Sequence, residues 1–311
     1  SACLAAGTPP AVAILIDDIG YRVDADLAAL GLPGAYSYAI LPHTPHGARF
    51  ARAATALARD ALLHLPMEAE RGNALLGPGS LRLGMDAPTI TDTLEAALAS
   101  LPTVVGLNNH MGSRLTADRG AMQVLATGVA RHRGLFFVDS RTTARTTAAQ
   151  AMRERGVPTL ERDVFLAHVP REQAVQRQLA VLVARARRVG HALGIAHPHR
   201  ETLSVLRAWR PDAAGVRLVP VSTLFAEPLQ VETMASGECA ARGNERAPGR
   251  PPRASKGSEV ARQEGTQEHG GTDAAEQEDA GRKRAPALDV AARHAVQDTG
   301  RDDQARASHR I

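Results

Sequence analysis

Ala11-Val12-Ala13-Ile14-Leu15-Ile16-Asp17-Asp18 is an apolar run that stops on two carboxylates. Its length and its Val, Ile and Leu content read as a strand, and the aspartates stand at the C-terminal end of that strand. Neighbouring strand side chains point to opposite faces, but where the backbone begins to turn both can reach one crevice. Two carboxylates this close do not both ionise cheaply unless a cation sits nearby. The plain alternative is that one of them caps the next helix, with Gly20 marking the turn.

Seven further runs rich in Val, Ile, Leu, Phe or Tyr recur outward from this one, at 36–42, 60–67, 103–110, 135–140, 158–166, 191–199 and 216–223. The segments between them carry helical spacing. After Pro170, residues Val175, Leu179, Leu182, Val183, Ala186 and Val189 share one face, with Arg177, Arg185 and Arg188 largely off it. After Pro88, Ile90, Leu94, Ala97, Leu98 and Leu101 do the same, with Thr89-Ile90-Thr91-Asp92 as a capping box. Strand–helix alternation repeated this often predicts a parallel sheet. Eight units in about 215 residues fit a compact (β/α) barrel with an irregular or missing unit, ahead of a doubly wound open sheet.

Six of the eight runs turn polar at their C-terminal ends. They carry Asp17-Asp18, His64, Asn108-Asn109-His110-Met111-Gly112-Ser113, Asp139-Ser140-Arg141, Arg162-Asp163 and His197-Pro198-His199. In a parallel barrel these ends meet on one face, where active sites form. Aspartates and histidines converging there predict a metal site or an acid–base site. Each has a bland counterpart. His64, inside Leu62-Leu63-His64-Leu65-Pro66, could be a satisfied core histidine, and the Asn108–Ser113 run could be a polar turn. Amides at a strand end also orient a ligating imidazole or bind a sugar hydroxyl. Asp139 could partner a histidine or cap the Thr-rich segment after it, and Asp163 could simply pair with Arg162 or Arg155. Of His197 and His199, one is expected to be a general acid or ligand and the other to face substrate. His43, His46, His132, His168 and His191 read as solvent-facing or helix-flanking.

Composition bounds the rest. Of 311 residues 44% are hydrophobic and 3% aromatic, and all the aromatics precede residue 226. Residues 231–311 hold four Val, one Leu, one Ile and no Phe, too little apolar surface to offset ordering entropy. The chain therefore reads as a flexible segment over 1–10, one domain over 11–226 and a disordered low-complexity tail over 227–311. The net charge of +4 divides into 13 basic and 14 acidic residues in 231–311, leaving 24 and 19 before them. That mild, scattered excess with few aromatics argues against a nucleic-acid binder. Cys3 and Cys239 provide neither a disulfide framework nor a cysteine zinc site. No apolar run reaches the length of a membrane span. The first ten residues lack a charged n-region and an apolar h-region, so an export signal has been removed or there is none. Cys3 after small residues is a faint lipid-attachment signal. Gly-x-Ser-x-Gly, Walker and Gly-x-Gly-x-x-Gly patterns are absent.

Five stretches resemble the divergent polysaccharide deacetylases: Ile16-Asp17-Asp18-Ile19-Gly20-Tyr21, His64-Leu65-Pro66-Met67-Glu68, Gly106-Leu107-Asn108-Asn109-His110-Met111-Gly112-Ser113, Phe137-Val138-Asp139-Ser140-Arg141-Thr142 and His197-Pro198-His199. They occur in the family's order across roughly residues 11–225. The resemblance implies a carbohydrate-deacetylase-like (β/α) barrel, periplasmic or secreted, acting on a cell-envelope glycan. Two positions depart from the pattern. Ala167 stands where the family usually has Asp, and Ala196 where it usually has Gly. The His-x-x-x-His ligand pair of the larger superfamily is also missing, so a metal site must be assembled from separate strands.

The expected chemistry is metal-assisted hydrolysis of an N- or O-acetyl group. Asp18, His64 and His110 would hold a divalent ion, zinc by donor type. Asp17 would be the general base and His197 the acid, oriented by Asp139. Asn108, Asn109, Ser113, Asp139 and His199 would bind substrate or brace the ligands. Two rivals keep the fold: an inactive glycan-binding or envelope-assembly module, and hydrolysis of another bond, glycosidic or phosphoester, of which a metal-free carboxylate pair would favour the glycosidic.

Overall fold

In the computed structural model, residues 8–166, 169 and 171–226 are described. The expectations for 1–7, Ala167, His168 and the 227–311 tail, with Cys3 and Cys239, lie outside the described residues. The opening apolar run forms β1 (Ala11–Ile19). There follow α1 (Val23–Leu30), β2 (Ser37–Ile40), α2 (Gly47–Ala56), β3 (Ala61–Met67), α3 (Ala87–Ser100), β4 (Gly106–Met111), α4 (Arg119–Val129), β5 (Phe136–Asp139) and α5 (Ala148–Glu154). Then come β6 (Thr159–Glu161), β7 (Val164–Phe165), α6 (Glu172–Val189), β8 (His191–Ala196), α7 (Arg200–Ala208), β9 (Arg217–Leu218) and α8 (Thr223–Ala226).

Every pairing is parallel, in the order β6-β5-β4-β3-β2-β1-β8-β7, with β9 beside β1. The edge strands β6 and β7 are separated in sequence only by Arg162 and Asp163. Three Cα steps span at most about 11 Å, so the sheet must curl until its two edges meet. The backbone changes sides between these residues. Arg162 N donates to Asp139 O at 3.0 Å, and Asp163 N donates to Leu193 O at 2.9 Å. The result is an irregular (β/α) barrel, its seam closed by the chain itself.

Two strand expectations need correction. The run at 158–166 supplies two of the eight barrel strands, because a residue pair that bonds to opposite neighbours cannot stay in one strand. The run at 216–223 supplies none of the eight. Only Arg217 and Leu218 pair, against Ala11 and Val12. The rest turns under the barrel, where Val221 N donates to Ser37 Oγ (3.0 Å) and Ser222 N to Asp60 Oδ2 (2.8 Å). Ser37 and Asp60 stand at the starts of β2 and β3, so this segment plugs the N-terminal end.

Side-chain alternation sorts the core into two layers. Val12, Ile14 and Ile16 pack outward against helical residues such as Leu94, Leu125 and Leu182. Ala11, Ala13 and Leu15 face inward with Leu62, Val138, Leu193, Ile195 and Val221. Burial on both faces explains why β1 is continuously apolar. On the outer side α6 lies close to β8, where a Cβ at Gly194 would come within 2.8 Å of Leu182. The α6 stripe is buried at Val175, Leu179, Leu182, Val183 and Ala186, but Val189, beside the C-cap Gly190, is exposed. The cap of α3 is also corrected: Asp86 Oδ1 accepts from Thr89 N at 2.9 Å, one turn before the expected capping box. Among the described residues no helix is long and apolar enough to cross a membrane.

Candidate metal centre

The inward row of each strand continues into the polar residues at its end. Asp17 follows Ala13 and Leu15, His64 follows Leu62, Ser140 follows Val138, and His197 follows Leu193 and Ile195. Asn108 stands in register with His64 on one side and Val138 on the other, so it shares their face. Asp18 reaches the same crevice by a different route. From Ile16 to Ile19 β1 advances three residues while β2 advances two, from Tyr38 to Ile40. This extra residue is a bulge, and Asp18 takes the left-handed φ of 62° within it. A non-glycine residue held there stores roughly 1–3 kcal/mol of strain, which the packed surroundings sustain. Neither aspartate caps α1. The carboxylate under that turn is the buried Asp26, whose Oδ2 accepts from Gly20 N (2.9 Å) and Arg22 N (3.2 Å).

Asn108 fixes the protons. Its Nδ2 donates to Asp17 Oδ1 at 3.0 Å and Ser140 Oγ at 3.2 Å. Its Oδ1 therefore accepts, and His64 Nδ1 lies 2.8 Å away as the donor. That tautomer leaves a lone pair on His64 Nε2. This nitrogen is 3.2 Å from Asp18 Oδ1 and 3.2 Å from His110 Nδ1, which is itself 3.0 Å from Asp18 Oδ1. Ligands about 2.0–2.1 Å from a tetrahedral zinc lie about 3.3–3.4 Å apart, close to this triangle. Asp18 Oδ1 is buried and has no hydrogen-bond partner among the described residues. One carboxylate and two imidazoles, with an orphaned oxygen at the apex, thus form a three-residue cluster of the right size and chemistry for a divalent ion.

The remaining expected residues divide. His197 joins the cluster, its Nε2 3.3 Å from Asp18 Oδ2. Asp17 lies beside it, its Oδ2 3.6 Å from His64 Nε2. His199 lies at the start of α7, with its ring centroid 5.8 Å from that of His197. Asn109 and Asp139, one position out of phase with the inward row, brace loops instead. Asn109 Oδ1 accepts from Ser140 N at 2.8 Å and its Nδ2 donates to Met111 O at 2.7 Å. Asp139 accepts from Arg141 N and Thr146 Oγ1, both at 2.8 Å, which is the expected cap on the Thr-rich segment, and these bonds replace the expected role of orienting His197. Ser113 Oγ accepts from Glu70 N at 3.0 Å and so positions a loop. Asp163 bonds Arg185 (3.2 Å) and Leu193 N (2.9 Å), not Arg162 or Arg155.

Sequence reasoning missed Ser140 as a relay, although counting by twos from Val138 finds it. Ser140 Oγ accepts from Asn108 and donates to Asn109 O at 2.9 Å. It also missed Arg162, whose Nε donates to Ser140 O at 2.7 Å.

Burial pushes the Asp17 carboxyl up to about 6, against the lowering pull of His64. For Asp18 burial is outweighed by His110 and His64, which hold it far below the ordinary carboxylate range. His64 is raised: burial works against its charge, but Asp17 and Asp18 prevail. Burial lowers His197 and, less deeply buried, His199.

The structure thus presents a parallel barrel with a carboxylate and two imidazoles gathered at its C-terminal rim. This chain belongs to the divergent polysaccharide deacetylase family, whose profile matches residues 14–225. An uncharacterized Haemophilus influenzae protein is 37% identical over 209 residues, 67% of this chain and 72% of its own length. The uncharacterized Escherichia coli protein YibQ is 36% identical over 226 residues, covering 71% and 69%. A crystal structure of an uncharacterized Agrobacterium tumefaciens protein superposes with a TM-score of 0.66 at 25% identity, covering 71% of this chain and 91% of that one.

Proposed function

We propose that the protein hydrolyses acetyl groups from a cell-envelope glycan with a divalent ion, zinc, held by Asp18, His64 and His110. The observation that carries this is the triangle of Asp18 Oδ1, His64 Nε2 and His110 Nδ1, 3.0–3.2 Å on a side, built on a buried Asp18 oxygen that has no hydrogen-bond partner among the described residues. When bound, the ion supplies Lewis acidity, polarising an acyl carbonyl and acidifying water. Asp17 takes the proton from the attacking water. Its Oδ1 is pinned by Asn108, and burial brings its pKa to about 6, suited to a base at neutral pH. His197 gives a proton to the leaving amine or alkoxide; burial disfavours its charged form, and the Asp18 carboxylate 3.3 Å away favours it. Asn108 acts through others: its one amide holds both the His64 tautomer and the Asp17 carboxylate. Family membership supports the glycan as substrate, and the periplasm or cell exterior is part of the proposal.

The direct test is dialysis against chelator, zinc add-back, and assay of acetate release from acetylated amino-sugar oligomers. Stoichiometric zinc with acetate release is expected. Neither metal nor acetate would end this reading, and saturable glycan binding indifferent to chelator would assign the barrel to binding alone.

A further inference from the structure

A polar cavity of about 390 Å3 opens among the segments that follow β5 and β6, lined by Arg141, Thr143, Ala144, Arg162 and Asp163. It shares a wall with the metal centre, because Ser140 bonds Asn108 through its hydroxyl and Arg162 through its carbonyl. We propose that this cavity binds a carboxylate carried by the glycan beside its acetylated sugar, which makes the substrate an anionic polysaccharide. The acetylated sugar in that statement rests on the hydrolase reading above, whereas the carboxylate site does not.

Arg162 is the centre of the argument. Its Nε and Nη2 donate to the carbonyls of Ser140 (2.7 Å) and Arg141 (2.9 Å), and the guanidinium lies 5.3 Å from the Phe165 ring centroid. Those contacts fix its plane. No carboxylate lies within ion-pair distance of it, and Nη1 has no hydrogen-bond acceptor, among the described residues. Burial and the neighbouring Arg141 work against the Arg162 charge, and Asp17 and Asp139 favour it only from beyond ion-pair distance, so the guanidinium keeps a donor edge that an anion can take. The acidic groups around the cavity are otherwise engaged. Glu161 pairs with Arg141 and Arg153, both at 3.0 Å, and Asp163 with Arg185 and Leu193 N. Asp139 accepts from Arg141 N and Thr146, and Asp17 Oδ1 from Asn108. Thr143 Oγ1 accepts from Arg145 N at 3.2 Å, so its O–H remains available to donate. A fixed planar fork with a neighbouring hydroxyl matches a carboxylate better than a neutral sugar face. Phe165 in turn meets His197 edge-on at 5.3 Å, so one ring separates the cavity from the acid of the proposed reaction.

The test compares two tetrasaccharides on the full zinc-loaded chain: chitotetraose, which is neutral, and a hyaluronan tetrasaccharide, in which acetylated amino sugars alternate with uronates. Calorimetry at low ionic strength should show about tenfold tighter binding of the uronate probe, a preference that shrinks with salt. Arg162→Gln should remove most of that preference. Because Arg162 also braces two carbonyls, Arg141→Gln at the exposed rim is the second variant and should weaken the preference too. Chitotetraose affinity should stay within about twofold in Arg141→Gln, the scale of a surface change. Equal affinity for the two probes, no binding of the uronate probe, or equal losses for both probes in the variants overturns the proposal. A clear uronate preference with no acetate released from either probe sinks the hydrolase reading and leaves the carboxylate site standing.

Discussion

The inner and outer faces of the sheet start alike and end differently. At the base both are aliphatic, with Ala11, Ala13 and Leu15 inside and Val12, Ile14 and Ile16 outside. Toward the strand ends the outer row stays with the helices, while the inner row turns into Asp17, His64, Asn108, His110, Ser140 and His197. Where the outer row becomes polar, at Asn109 and Asp139, it serves the backbone of the next loop. Phase along the strand therefore separates chemistry from scaffolding among residues of the same type. The neighbours Asn108 and Asn109 are the sharpest case. Both are buried and fully bonded, yet only one touches the cluster.

The largest expected effect is on the inner row. Asp17→Asn should lower acetate release by about 10²–10⁴-fold while zinc content by elemental analysis stays near one per chain. Asp18→Asn should lose the zinc itself, and the reverse pattern would exchange the two roles. Next, Asn108→Ala should weaken zinc by about 10–100-fold, since it frees the tautomer of a ligand. It should also cost about 2–4 kcal/mol in chemical denaturation, because His64 Nδ1 and Asp17 Oδ1 both lose a buried partner. Asn109→Ala should cost similar stability and leave zinc affinity unchanged. Equal loss of zinc in both variants would break the distinction between the faces.

A third effect is one of pH. In chelated protein Asp17 is raised from 3.8 to about 6, and His64 is raised from 6.5. A raised folded pKa contributes stability that is complete below the unfolded value and lost as pH climbs through the folded one. Asp18, lowered, acts oppositely, but its contribution is lost only as pH falls below the ordinary carboxylate range. His197 and His199, lowered, oppose this trend up to about pH 6.5, so it is above that pH, as His64 loses its proton, that the chelated protein should melt lower as pH rises. Zinc-loaded protein should show the opposite trend, because binding requires deprotonated ligands. Parallel melting curves with and without chelator would refute this. The smallest effect is expected at the rim, where His199→Ala should leave zinc content unchanged and stability within about 0.5 kcal/mol.

Much of this was legible in the sequence because parallel strands buried on both faces leave long apolar runs, and their ends are easy to find. Asp17, Asp18 and His197 close such runs, His64 stands within one and His110 lies two asparagines beyond one, so their convergence could be anticipated from the fold class alone. What escaped depends on pairing or on local geometry. The split at Arg162 and Asp163 is visible only once Asp139 and Leu193 are known to flank it. Of the two readings of Asp139 the structure shows the cap on the Thr-rich segment, and spacing alone could not choose between them because reach across a rim is not encoded in it. The bulge that turns Asp18 inward leaves no mark in composition, since Asp17 and Asp18 would look the same in a regular strand. Asp86 caps α3 from outside the periodic segment, where the apolar pattern gives no signal.

The central position of β1 has a consequence for how the chain is made. One edge of β1 is completed by β8, from Ala11 against His191 to Ile16 against Ala196. The partner for the earliest strand is thus among the last of the domain to be synthesised. At about 5–20 residues per second, a ribosome needs roughly 10–40 s to cover that interval. Throughout it, the nascent chain carries an unpaired aliphatic edge, a stretch on which a holding chaperone would act before the barrel can close.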